Sequence, residues 1–250
     1  MSSSLMLVAG AGLLGGAMNA LAGGGSFVTL PAMIAAGVPP VQANASSTVA
    51  LLPGGFASAW AYRAGLGPVC GVGLRPLLAI TVAGGLLGAL LLLVTPSRVF
   101  DLVLPWLLLV AALTLAFGGP LREALRRRVR IGLPAVMAAQ LVLGIYGGYF
   151  GGAVGIMMMA AWTLFGATDL KMLAPARVLL VSATNAVAVV AFVVAGAVAW
   201  PQTVAMLAGA TIGGWGAALL GRRAPPRLIR AATLLLTAVV TIAFFIRSYG

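Results

Sequence analysis

Arg177 stands inside an apolar stretch, between Lys171-Met-Leu-Ala-Pro-Ala176 and Val178-Leu-Leu-Val181, not in a polar loop. A guanidinium at membrane depth costs about 3 kcal/mol or more, so it faces a cavity or a counter-charge. The chain holds only three acids, Asp101, Glu123 and Asp169, all near the ends of apolar runs. None is placed to neutralise Arg177, and a small anionic substrate would supply the missing charge. The other placement open to this arginine is shallow enough for its head to snorkel to the surface. Ser182, Thr184 and Asn185 follow on the same stretch.

A second polar cluster, Gln42, Asn44, Ser46, Ser47 and Thr48, follows Gly37-Val-Pro-Pro40, where proline can open a helix and its first turns would present these donors. A third candidate is the run Ala22-Gly23-Gly24-Gly25-Ser26-Phe27, with a counterpart in Gly147 to Gly155. Non-helical backbone at membrane depth must line protein or a wet cavity. A helix starting there would aim free N–H groups and a partial positive charge at an anion. The same glycines would equally serve tight helix crossing. The candidate substrate-binding residues are therefore Gly24, Gly25, Ser26, Asn44, Ser46, Ser47, Arg177 and Asn185.

The absences narrow the chemistry. With no histidine and no deeply placed acid, the usual Asp/Glu/His proton relay has no members, and coupling would rest on the substrate's own charge or protonation. Ser26, Ser46 and Ser47 have no base to activate them, which argues against an intramembrane hydrolase. The single Cys70 leaves no internal disulfide and no Cys/His metal site, and no cofactor is expected.

These residues sit in a chain that is 62% hydrophobic and 7% charged, with mean hydropathy +1.14. That composition belongs to a membrane bundle, not to a soluble domain. Of the 15 basic residues, nine lie in 122–130 and 222–230, so the net charge of +12 reads as a topology signal and not as a nucleic-acid face. The first 22 residues lack a charged n-region and are expected to stay as a membrane segment.

Apolar stretches run at 5–36, 41–62, 74–94, 99–118, 131–166, 173–198, 201–220 and 228–246. The first and fifth are too long for one span and are broken by the glycines. If both return to the side they entered, as hairpins, the two arginine-rich loops fall on the cytoplasmic side with Arg63, Arg75 and Lys171, and both termini fall outside. Paired pieces of about 15 residues, each about 22 Å long, would fit, and two closely packed full spans satisfy the same charge rule.

Self-comparison at an offset of 129 aligns Gly23 with Gly152, Gly37 with Gly166, Gly84-Gly85 with Gly213-Gly214, Pro96 with Pro225 and Arg98 with Arg227. At 131, Ala43, Ala45 and Gly65 align with Ala174, Ala176 and Gly196, and Ser46 falls opposite Arg177. The predicted fold is all-α: a polytopic transmembrane bundle of two inverted repeats, each a glycine-broken hairpin plus three helices. The repeats are 1–120 and 131–250, joined by a cytoplasmic Arg-rich linker at 121–130. Gly84/Gly88 and Gly209/Gly213 have the small-xxx-small spacing of helix packing. Discontinuous helices in inverted repeats belong to secondary transporters with a midplane site, where one half rocks against the other.

At Gly23 to Pro31, Gly37-Val-Pro-Pro40 and Ala43-Asn-Ala-Ser-Ser-Thr48, with the weaker repeat Gly147 to Gly155 and Ala174-Pro-Ala-Arg177, the chain resembles the sulfite exporter TauE/SafE family, also called the 4-toluene sulfonate uptake permease family. The resemblance covers nearly the whole chain. It implies transport of sulfite, sulfonates or organosulfonates in a bacterial inner membrane. Pro175 stands where the family's second motif more usually has Asn, so half of a symmetric amide pair is missing. A carrier of small carboxylates and a non-transporting membrane scaffold are the rival readings. Small anion and membrane lipid are the expected partners, with no nucleic acid, and a homo-oligomer is compatible with the sequence.

Overall fold

The computed structural model describes residues 2–125, 132–165, 170–220 and 226–250. Among the described residues the fold is all-α, with one isolated bridge between Val69 and Val72. In chain order the helices are α1 (Ser2–Ala22), α2 (Ser26–Ala35), α3 (Pro40–Tyr62), α4 (Leu74–Val94), α5 (Ser97–Leu125), α6 (Leu133–Tyr149), α7 (Val154–Leu164), α8 (Leu170–Val194), α9 (Trp200–Leu220) and α10 (Pro226–Tyr249). Segments Ser3–Leu21, Leu74–Val94, Ser97–Phe117, Met172–Val194 and Ala231–Tyr249 are each long and apolar enough to cross a bilayer. The protein is a multi-helix membrane bundle.

Both overlong stretches are broken where the glycines lie, but their pieces are unequal. α1 and α2 have 21 and 10 residues, and α6 and α7 have 17 and 11, instead of two pieces of about 15. The reason is local. α2 starts directly after Gly25 and is stopped at Gly37, whose φ of +85° is left-handed. There Val38 N–H donates to Met33 O, closing a Schellman-type end. α5 is helical through Leu125, so the first residues of the expected linker continue that helix. The rest of that linker, Gly166, Asp169 and Pro225 lie outside the described residues.

Side chains of small residues let the long helices touch backbone to backbone. α1 packs on α9, and a methyl added at Gly12, Gly16, Gly209 or Gly213 would overlap the carbonyls of Met206, Ala210, Ala9 or Leu13. α4 packs on α6 in the same way, with Gly84, Gly88 and Gly148 seated on Leu141, Ile145 and Gly85. The helix-packing role expected of Gly84/Gly88 and Gly209/Gly213 is what these contacts display. α3 packs on α8, and α5 on α10.

A buried polar knot fixes α7 to its neighbours. Gln140 on α6 donates from Nε2 to Thr81 Oγ1 on α4 (2.8 Å) and accepts from Trp162 Nε1 on α7 (3.1 Å), and Cys70 Sγ–H in the α3–α4 loop donates to Trp162 O. Gln140 and Trp162 are at most 1% exposed, so each polar atom left unpaired would carry its full desolvation cost.

Two outcomes are expected from this packing. Gly148→Val should cost about 3 kcal/mol or prevent folding, because the α4 carbonyl facing it cannot retreat. Gln140→Leu should cost about 1–2 kcal/mol by orphaning the Trp162 N–H. Thermal unfolding in detergent, compared with an exposed control such as Leu87→Val, checks both.

Candidate functional site

The chain between α6 and α7 carries the geometry of interest. α6 ends at Tyr149, and the backbone turns through Gly151 (φ +76°) and Ala153 (φ +57°) before α7 begins. Gly151 meets the demand for a left-handed residue without cost, whereas Ala153 holds that region as a side-chain-bearing residue. Ile156 N–H and Met157 N–H both turn back to Ala153 O. The N–H groups of Val154 and Gly155, at the helix start, are then its orphan donors, with the positive end of the α7 dipole behind them.

α8 runs beside this break. A methyl added at Gly155 would lie 3.5 Å from Arg177 Cδ and 3.6 Å from Cγ, so the arginine stem lies along the first turn of α7. Arg177 is half-buried, and its Nε is buried without a hydrogen-bond partner. Two turns further along α8, Asn185 Oδ1 is likewise buried and unpartnered, 3.8 Å from the position a Gly151 Cβ would take. Thr48 Oγ1 of α3 lies 3.9 Å from the same point. Ser182, one turn before Asn185, is buried with an unpartnered Oγ and faces Gly55 on α3.

Among the described residues Arg177 has no carboxylate partner. The ion pair formed among the described residues is Arg247 with Asp101, 3.1 Å apart, tying the end of α10 to the start of α5. The arrangement at α7 and α8 is therefore a guanidinium, an amide and a helix start with unfilled hydrogen-bonding capacity and a surplus of positive charge. The guanidinium and the helix-start N–H groups are donors suited to an oxyanion, whereas the unpartnered Asn185 Oδ1 is an acceptor, so Asn185 meets an anion only through its Nδ2.

The α3 cluster is placed differently. Asn44 donates from Nδ2 to Tyr149 O (3.0 Å) and so caps the end of α6. Ser46 Oγ accepts from Ala199 N–H (2.9 Å) just ahead of α9. Ser47 shares a hydrogen bond with Thr29 on α2, and Thr29 also donates to Gly25 O. All three are buried, and each of these bonds reaches a protein group elsewhere in the fold.

Gly24, Gly25 and Ser26 lie at the other break, between α1 and α2. Gly25 sits against Gly15 O and Leu51, and Gly24 against Phe27 and Thr233, so a side chain at Gly25 would collide with α1. Ser26 is half-buried at the first position of α2. Among the described residues no hydrogen bond joins this break to Arg177 or Asn185. The structure thus gathers Arg177, Asn185 and Asn44 around the α6–α7 break, and sets Ser46, Ser47, Gly24, Gly25 and Ser26 elsewhere. Gln140 was not singled out in the sequence, and Ser182 was noted beside Asn185 on the same stretch without being counted among the candidate binding residues.

The comparisons with known proteins agree with this architecture. The chain is 31% identical over 239 residues to the probable membrane transporter protein YfcA of Escherichia coli strain K12, covering 95% of this chain and 88% of that protein. It is 33% identical over 207 residues to the probable membrane transporter protein ORF9 of Sinorhizobium sp, covering 81% and 77%. A probable membrane transporter protein of Haemophilus influenzae is 29% identical over 238 residues, covering 92% and 90%. No solved structure matches the chain. The family model for the sulfite exporter TauE/SafE matches residues 8–244, and with the broken helices and glycine-packed pairs described above, this chain belongs to that family.

Proposed function

We propose that this membrane transporter of the TauE/SafE family carries small sulfur-containing oxyanions, such as sulfite, sulfonates and organosulfonates, across the bacterial inner membrane. Access alternates between the two sides of a site at the α6–α7 break. The single observation that carries this reading is Arg177: a guanidinium with a buried, unpartnered Nε, beside the start of α7, without a carboxylate to meet it among the described residues. Its charge and the α7 dipole attract the anion, Asn185 donates to it from Nδ2, and Asn44 holds the end of α6 so that the break keeps its shape. Ser46, Ser47 and Gly25 act behind this shell, by fixing α9 and α2.

Sulfur enters through the family's description and not through any selectivity filter in the geometry. Tetrahedral and pyramidal oxyanions present several acceptors to a convergent donor set, whereas a carboxylate presents two in one plane. The halves 1–120 and 131–250 are read as inverted repeats. The reading is supported by reciprocity: the first helix of each half packs on the fourth helix of the other. It is supported too by the equivalence of Ser46 and Arg177 in the repeat.

Arg177→Ala should abolish sulfite uptake into proteoliposomes while leaving the thermal midpoint and the oligomeric state unchanged, and Arg177→Lys should retain part of it, having charge but no planar fork. Uptake at the native rate in Arg177→Ala would remove the basis of the proposal. Asn185→Ala should weaken anion binding about tenfold or more, as loss of a buried hydrogen bond to a charged group does. A thermal-shift panel of sulfite, thiosulfate, sulfoacetate and taurine against simple carboxylates checks the substrate class. Sulfur anions at ~100-fold their Kd should raise the midpoint by several degrees. Greater stabilisation by carboxylates would favour the rival carrier, and no shift with no flux would favour a scaffold.

A further inference from the structure

α3 and α4 both pack on α8 and leave a groove between them. Its volume is about 480 Å³, its walls are Phe56 and Ala59 on one side and Leu78 and Val82 on the other, and Ala186 and Val190 belong to its α8 floor. Phe56 and Val190 are 50% and 62% exposed, so the groove opens sideways, toward the position of the acyl chains in a bilayer. It is distinct from the anion site. Leu179, Ala186 and Val190, which line it, are on the opposite side of α8 from Arg177 by the 100° step per residue, and Ser182 stands between the two faces.

The groove has a charged end. Arg63 follows Ala59 by one turn at the close of α3, and Arg75 precedes Leu78 by one turn and Val82 by two on α4. Both arginines are exposed, and neither is ion-paired among the described residues. Arg63 is held in place: its Nη1 donates to Trp60 O (2.8 Å), and its guanidinium lies 4.2 Å over the Trp60 ring. The chain between them is folded tightly, with Val69 and Val72 exchanging both backbone hydrogen bonds and Gly65 set against Pro175 of α8. Two cations therefore stand at one mouth of a slot whose interior is apolar and open to lipid.

We propose that this groove is a site for one anionic phospholipid, with an acyl chain lying between α3 and α4 and the phosphate held by Arg63 and Arg75. The match is one of charge and polarity. A zwitterionic lipid offers the same chain but sets its ammonium against the arginines, and a soluble anion offers the phosphate chemistry without the chain. Basic residues at the cytoplasmic ends of membrane helices attract anionic headgroups, and a cleft between helices turns that general attraction into a specific position. The buried Ser182 hydroxyl in the floor is no obstacle, because a serine in a helix can turn to donate to the carbonyl four residues before it, as Thr184 does to Leu180.

The test is lipid retention by the intact protein, measured by mass spectrometry after exchange into micelles holding equal phosphatidylglycerol and phosphatidylcholine. The native chain should retain phosphatidylglycerol about tenfold over phosphatidylcholine. Arg63→Ala with Arg75→Ala should remove that preference. Ala186→Trp, which fills the groove and leaves both arginines, should remove the retained lipid. Arg98→Ala should change neither, since Arg98 is an exposed arginine at the start of α5, beyond the far end of α4 from Arg75. Equal retention of the two lipids by the native chain would overturn the proposal. So would a preference that survives the Arg63 and Arg75 changes, or one that survives Ala186→Trp, which would leave surface charge alone as its cause.

Discussion

A helix that stops inside a bilayer leaves backbone N–H and C=O groups with no water to meet them, and each must be matched by protein or by something bound. This chain breaks twice within an apolar stretch, after α1 and after α6, and the same demand applies wherever such a break lies out of reach of water. The polar start of α3 is best understood as the answer to that demand. Asn44 takes the Tyr149 carbonyl, Ser46 takes the Ala199 N–H, and Ser47 with Thr29 ties α2 down at Gly25. A helix start that looked like a ligand-binding cluster is in large part a set of caps for other helices, reaching across the fold to do it.

Two residues that align at an offset of 131 differ in an instructive manner. Ser46 Oγ meets a backbone N–H, whereas Arg177 Nε has no hydrogen-bond partner among the described residues. Asn44 aligns with Pro175, so the sequence supplies this amide once. The α6–α7 break holds both the Asn44 cap and the Arg177 guanidinium, and among the described residues the α1–α2 break holds neither. In a site that handles an anion, such asymmetry concentrates the attraction in one place instead of spreading it over two weak ones.

Much of this was legible from residue types. Glycine runs in apolar stretches too long for a single span marked the breaks, paired glycines four residues apart marked the α1–α9 and α4–α6 contacts, and an arginine in an apolar helix marked the site. What could not be read was anything fixed by distant partners. Tyr149 is 105 residues from Asn44, and Ala199 is 153 from Ser46, so no spacing rule connects them. The arm lengths of the hairpins escaped for a related reason. Hydropathy averages over the run, whereas the ends of α2 are set by single left-handed or crowded glycines. The Gln140, Trp162 and Thr81 knot was invisible because each member, taken alone, is an ordinary residue for an apolar helix.

The glycine-lined contacts bear on how such a molecule can move. Each joins the first helix of one sequence half to the fourth helix of the other, with carbonyls seated where side chains would otherwise be. Surfaces meshed that closely do not slide without first separating. Under the proposed alternating access, the moving parts must therefore be cut across the sequence, with α1 carried by α9 and α4 by α6, and a hinge is better sought in the short connections around Gly37 and Gly196.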